Sequence, residues 1–223
     1  MTAPRTAETA SRVRTYFGEA GPFSYSKVKA IAASLLSGEL SYRVATAGIK
    51  AIKFDIARKC NLDVAALVAS RKEFRGRTFY KIKRVSYTID KDFAVGIRPE
   101  AVAVVDGVPN LIFLQARKNP VPWALDISFM NRVLAEVYED YFDEARFWLI
   151  DTEANSDGER QCTLVELSAA DAMNDREFRR RIASLRQAWR LHLTQPAVRR
   201  APKPAQPDNR QGEFGLNDPI GRT

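Results

Sequence analysis

The chain has 223 residues, 45% of them hydrophobic and 28% charged, which suits one domain with a core of ordinary size. No apolar run approaches the roughly 20 residues that span a bilayer, and the opening MTAPRTAETASR lacks the apolar stretch of a secretory signal. The expected setting is therefore cytoplasmic, with no membrane partner. A net charge of +8 attracts polyanions at long range, so nucleic acid is the expected partner and an acidic protein surface the alternative.

Three segments divide the chain. Residues 1–75 read as an N-terminal helical region packing on the core, 76–194 as an α/β core, and 195–223 as a disordered, Pro-rich basic tail. Within the first, a short helix is predicted around Ala7–Phe17. A better one, capped by Ser24 or Ser26, carries Val28, Ile31 and Leu35 at helical spacing and stops at Gly38. Leu40–Arg58 reads as one helix with Val44, Ala47, Ala51 and Phe54 on a stripe. Asn61 and Asp63 mark a break, and Val64–Lys72 a further helix.

After Gly76 the period changes. Phe79–Ile89 alternates as a strand, Asp90–Asp92 is a turn, and Phe93–Ile97 and Ala101–Val105 are strand-like. A turn cluster of Asp106, Gly107, Pro109 and Asn110 precedes a buried strand, Leu111–Arg117. Asp126 caps a crossover helix to Asp143 that turns Ile127, Met130, Val133 or Leu134, Val137 and Tyr141 inward. Phe147–Ile150 and Cys162–Leu167 are the last strands, separated by a polar loop, Asn155–Arg160. A long helix with Phe178, Ile182, Leu185 and Trp189 follows. The expected fold is α/β, a mixed β-sheet core in α-β-β-β-α-β order flanked by helices.

Residue chemistry excludes several site types. Cys60 and Cys162 have no CxxC spacing and read as small hydrophobes. His192, the single histidine, lies late in a basic helix and reads as surface, which removes a His-ligated zinc site. No Walker A, GxGxxG or HExxH pattern is present, so no nucleotide or redox cofactor is expected.

The informative stretch runs from Arg98 to Lys118. Glu100 follows a proline and opens a strand; after a turn, the next strand places Gln115 and Arg117 two apart on one face. Polar residues are unexpected on a strand that begins Leu-Ile-Phe-Leu unless something uses them. This arrangement resembles the PD-(D/E)xK nuclease superfamily, in which a strand-start acid and an acid-x-Lys pair converge on Mg²⁺. The likeness covers about residues 63–152, in motif and in element order.

By that resemblance Glu100, Gln115 and Arg117 occupy the catalytic positions, with Glu100 and Gln115 at the metal. The departures weaken it as an enzyme. Gln115 is neutral where the family has an acid, so any Mg²⁺ is held weakly. Arg117 cannot accept a proton where the family has lysine, although it can stabilise developing negative charge. The resemblance therefore implies a nucleic-acid-directed pseudo-nuclease used for binding or assembly. An active Mg²⁺-dependent nuclease and a domain docking an acidic protein are the alternatives. Glu100 could equally serve as a strand-start carboxylate paired with Arg98 or Arg117.

Basic residues supply the candidate nucleic-acid contacts: Arg75, Arg77, Lys81, Lys83, Arg84 and Lys118, with Lys81 and Lys83 on one predicted strand face. The arginines of the last helix, Arg179 to Arg181, Arg186 and Arg190, read as a solvated face. The tail, with Pro196, Pro202, Pro204, Pro207 and Pro219 and few apolar residues, cannot offset the entropy of ordering. A chain ending at Thr194 is expected to keep its melting temperature within about 5 °C of the full chain; a scanning calorimetry trace showing a larger drop would mean that the tail docks.

Overall fold

The computed structural model describes residues 24–117, 123–142, 144–155, 157, 159–167 and 172–194, with backbone only for 123–126. The predicted helix at Ala7–Phe17, the tail and Lys118 lie outside these residues. Five helices lead the described chain: α1 (Ser26–Ala30), α2 (Ala32–Ser37), α3 (Tyr42–Ala45), α4 (Ala47–Lys50) and α5 (Asp55–Ser70). Then come β1 (Phe79–Tyr80), β2 (Val85–Asp90), β3 (Phe93–Ile97), β4 (Ala101–Val105) and β5 (Val108–Gln115). Helix α6 (Trp123–Tyr138), β6 (Arg146–Asp151), β7 (Thr163–Leu167) and α7 (Asp175–Thr194) complete it. The protein is a mixed α/β fold with a helical N-terminal region.

The main sheet has the order β1-β4-β5-β6-β7, and β2 and β3 form a separate two-stranded sheet. Antiparallel β4 and β5 pair Ala101 with Ile112 and Val105 with Val108. Asp106 and Gly107 join them with φ of 51° and 83°, the paired positive values of a tight hairpin turn, which a Gly tolerates and an Asp accepts. Pro109 lies inside β5, ahead of Asn110, where pairing with β6 begins, so its missing N–H interrupts no bond to that neighbour. Strands β5 and β6 are parallel, in register from Asn110–Arg146 to Gln115–Asp151, with α6 as the connection.

Each face of the sheet has its own core. Ala101, Ala103, Ile112, Leu114 and Ile150 pack with Val28, Leu35, Leu36, Ile49, Val64 and Val68 of the N-terminal helices. Val102, Leu111, Leu149 and Leu167 pack with Val133, Leu134, Val137 and Tyr138 of α6, and with Phe178 and Ile182 of α7. Burying each such aliphatic side chain contributes roughly 1.5–3 kcal/mol. The β2–β3 sheet is clamped on α7: Arg186 Nε donates to the Ile89 carbonyl, Arg190 pairs with Asp90 at 3.1 Å, and Phe93 stacks on Trp189 at 4.7 Å.

Several expected boundaries move. The helix read from Ser24 to Gly38 is broken at Ile31, whose φ of −107° and ψ of 4° divide α1 from α2, although Gly38 does end it with φ 71°. Leu40–Arg58 is not one helix but two single turns followed by the start of α5. The stripe assigned there is misplaced: Val44 and Phe54 are exposed, while Ala45 and Ile49 are buried. Asn61 does not break a helix, because its side chain satisfies backbone groups from inside α5. Nδ2 donates to the Ala57 and Ser24 carbonyls at 2.9 and 3.2 Å, and Oδ1 accepts from Val28 N at 3.4 Å.

The strand expected over Phe79–Ile89 is two strands in different sheets, so Lys81 and Lys83 lie on the link between them rather than on a strand face. The crossover helix starts at Trp123, earlier than Asp126, and ends at Tyr138, which leaves Tyr141 64% exposed instead of inward. Strand β5 stops at Gln115, two residues short of Arg117. His192 is half-buried beside Trp189, with ring centroids 5.5 Å apart, rather than fully on the surface.

Asn61 ties α1 to α5 through groups that an apolar residue cannot replace. Asn61→Leu is expected to lower the denaturant midpoint with an unchanged m-value, a loss of roughly 1–3 kcal/mol. An unaltered midpoint in urea would show that these bonds carry no net stability.

Candidate functional site

The sequence-predicted residues gather where β4 begins and β5 ends. Glu100 N donates to the Ile112 carbonyl at 2.9 Å, continuing the β4–β5 ladder by one residue. Its side chain carries the ladder further: Oε2 accepts Leu114 N at 2.8 Å, the bond a β4 carbonyl would make if that strand went on. The other oxygen, Oε1, receives Lys29 Nζ at 2.6 Å from α1. With 11% of the side chain exposed, the Glu100 carboxylate is engaged at both oxygens. The expected partners Arg98 and Arg117 give way to Lys29, which sequence separation concealed.

Gln115 is the last residue of β5 and half-buried; its Oε1 accepts Arg117 N at 3.3 Å, and Arg117 itself is exposed. Glu100, bonded to Leu114 N, and Gln115, the next residue of β5, therefore lie at the same end of the sheet, with Arg117 just past it. As a Mg²⁺ shell this set is poor. It offers one negative charge, Lys29 already neutralises that charge, and the second donor is a neutral amide, whereas Mg²⁺ favours anionic oxygen in near-octahedral array. Among the described residues no group of three or more His, Cys, Asp and Glu comes together in metal-binding geometry.

Sequence reasoning missed three residues here: Lys29, Asp151 and Arg160. Asp151 ends β6 directly beside Gln115 in the parallel register, so both side chains leave the sheet on the same side. It is 1% exposed; Oδ1 accepts Glu153 N at 3.0 Å, and Oδ2 has no hydrogen-bond partner among the described residues. Burial first, and the neighbouring Glu153 carboxylate second, push its carboxyl up to about 6, against the opposing backbone N–H groups of Glu153 and Thr152. The sequence signal was only an acid at the end of an apolar strand.

Arg160 gathers the strand ends on the other side. Nη1 donates to the Ala116 carbonyl at 3.1 Å and the Thr152 carbonyl at 2.7 Å, and Nη2 to Tyr25 Oη at 2.6 Å. Its guanidinium also lies 5.5 Å from the Tyr25 ring centroid. Thr152 N and Oγ1 both donate to the Gln115 carbonyl, at 3.0 and 2.9 Å.

The basic residues lie apart from this edge in the sequence. Arg75, Arg77, Lys81, Lys83 and Arg84 are all exposed. Arg75 Nη2 donates to the Ala69 carbonyl at 3.2 Å. Arg84 lies flat across Gly96 of β3, occupying the space that a Cβ there would need. Cys162, read as a small hydrophobe, has a polar partner, since its sulfur accepts Arg71 Nε at 3.1 Å. No described helix is long and apolar enough to cross a membrane. The chain matches no family model, no curated protein and no solved structure.

The raised carboxyl sets a pH dependence. The folded state holds a proton on Asp151 up to about 6, whereas the unfolded chain releases it near 3.8. Stability is thus undiminished below 3.8, falls as pH rises towards 6, and carries the full cost of the buried charge above it. In a chelator-treated sample Asp151→Asn is expected to remove that slope and to gain roughly 2–3 kcal/mol over the parent chain at the alkaline end. Parallel stability–pH curves for the two proteins would refute this reading of Asp151.

Proposed function

We propose that the chain is a nucleic-acid-directed binding or assembly module built on a PD-(D/E)xK-like core, a pseudo-nuclease rather than a nuclease. The observation that carries this is the closure of Glu100 by Lys29 and Leu114 N at 2.6 and 2.8 Å. The strand-start acid of the motif then acts as an internal tie. Gln115 brings no charge to replace it, and an arginine guanidinium does not serve as the base that activates water.

A nucleic-acid role draws on the exposed cations between Arg75 and Arg84. On an extended link, Lys81 and Lys83 can follow a phosphate backbone, and Arg84 is pre-oriented on Gly96. Contacts of this kind give affinity without base specificity. An active enzyme remains the second reading, because Asp151 adds a buried carboxyl next to Gln115.

Binding to a labelled DNA or RNA duplex is expected to weaken steeply as salt rises, and Lys81→Glu with Lys83→Glu to reduce both affinity and the salt slope for every sequence tried. In the same mixtures, added Mg²⁺ or Mn²⁺ is expected to yield no cleavage product. Absence of binding at low salt would transfer the basic surface to an acidic protein partner. Metal-dependent cleavage abolished by Glu100→Ala would make the protein an enzyme.

A further inference from the structure

We propose that the stretch from Arg77 to Arg84 takes single-stranded nucleic acid, with one base stacked on the Tyr80 ring and the strand's phosphates on the flanking cations. The proposal rests on the nucleic-acid reading above and adds the class of strand.

Sheet register places the aromatic. Tyr80 is the last residue of β1, the terminal strand of the main sheet, and pairs with Val102 of β4. Directly paired residues share a face. Val102 is buried in the core formed with α6 and α7, whereas Tyr80, one strand further out, is 53% exposed. The ring therefore stands at the rim of that face, with solvent on its outer side. Val104, two residues along β4 and so on the same face, is exposed as well. Diagonal neighbours of this kind lie roughly 7–8 Å apart, so the two side chains make a small apolar platform.

The charges beside it are of one sign. From Phe74 to Ile89 the chain carries Arg75, Arg77, Lys81, Lys83 and Arg84 and no acid. The acids that bound this stretch are taken: Glu73 pairs with Arg71, and Asp90 with Arg190. Past Tyr80, Ile82 packs into the core shared with β2 and β3, which leaves Lys81 and Lys83, on either side of it, exposed. In an extended link they stand roughly 6–7 Å apart. Arg84 follows, laid over Gly96. The aromatic is thus followed at once by three exposed cations.

An exposed aromatic among cations discriminates between forms of nucleic acid. Phosphates of either form satisfy the lysines and arginines. A duplex keeps the faces of its bases in its own stack, while a single strand can lay one on a side-chain ring. Such stacking tolerates any base, because every base has a π-face. It uses neither a metal nor Glu100, Gln115 and Arg117, so the closure of Glu100 does not impede it. DNA and RNA strands share this chemistry.

Fluorescence anisotropy of the full chain supplies the test. The probes are a labelled single strand, as DNA and as RNA, the DNA strand annealed to its complement, and an abasic strand of equal length. The base-bearing strand is expected to bind about fivefold or more tighter than the abasic one. The duplex carries the denser charge, so its affinity falls faster with salt, and the single strand is expected to bind the tighter at physiological salt. Tyr80→Ala is expected to weaken the base-bearing strand about fivefold or more, to leave the duplex and the abasic strand within about twofold, and to keep the salt slope, since no charge is removed. The retained duplex affinity reports that the variant is folded. Tyr80→Phe keeps the ring and is expected to keep the parent's affinity. Equal binding of base-bearing and abasic strands by the parent chain would overturn the proposal and leave the nucleic-acid reading standing. So would a Tyr80→Ala loss that is the same for duplex and single strand. Failure to bind any strand at low salt would remove the nucleic-acid reading, and this site with it.

Discussion

Parallel pairing of β5 with β6 constrains everything at the functional edge. Two parallel strands need a crossover, which α6 supplies, and both strands must then finish on the same side of the molecule. The carbonyls of Gln115, Ala116 and Thr152 arrive there with no further strand residues to bond. Thr152 takes up the first with two donors, and Arg160 takes up the other two. Because Arg160 also reaches Tyr25, at the start of α1, the same guanidinium fastens the helical region to the sheet. A polar edge of this kind is a general consequence of open α/β sheets, and ligands bind outside the carboxyl ends of their strands for that reason.

Glu100 illustrates how one residue can change roles without changing position. At a strand start its carboxylate could face a ligand. Here it replaces a missing backbone carbonyl for Leu114 N, and the lysine on α1 cancels its charge. Charged hydrogen bonds to a carboxylate are among the stronger local contacts, and a side chain held at both oxygens is positioned rather than available. The helical region therefore occupies the acid at the start of β4, and it does so through a contact 71 residues apart in sequence.

How legible the molecule was in its sequence follows from the range of the interactions. Strands β3 to β7 and helices α6 and α7 show in the periodicity because burial on a sheet face or helix stripe is a local pattern. The antiparallel pairing of β4 with β5 followed from the turn at Asp106–Gly107, but the separate β2–β3 sheet and the pairing of β4 with β1 did not show. Errors concentrate where a side chain overrides the local signal. Asn61 looks like a helix breaker, yet it is buried and bonded to α1. Residues 81–84 continue an alternating pattern, yet the chain changes sheets there. At the site, spacing alone brought Glu100 and Gln115 to one edge. Lys29, Asp151 and Arg160 were invisible because their partners are set by tertiary packing, and no spacing rule connects residues 29 and 100 or residues 115 and 151.

Gln115 and Asp151 are best understood together. They are lateral neighbours in a parallel ladder, where like charges directly opposite are destabilising. An acid at position 115 would stand beside a carboxyl already pushed up to about 6 by burial and by Glu153. It would crowd three carboxylates into one shielded edge. An amide at 115 keeps a carbonyl oxygen there without adding that repulsion, so the residue that looks like a loss within the motif on β5 is the one that tolerates the acid on β6. Glu100 is closed by Lys29 of α1, whereas Asp151 Oδ2 has no hydrogen-bond partner among the described residues.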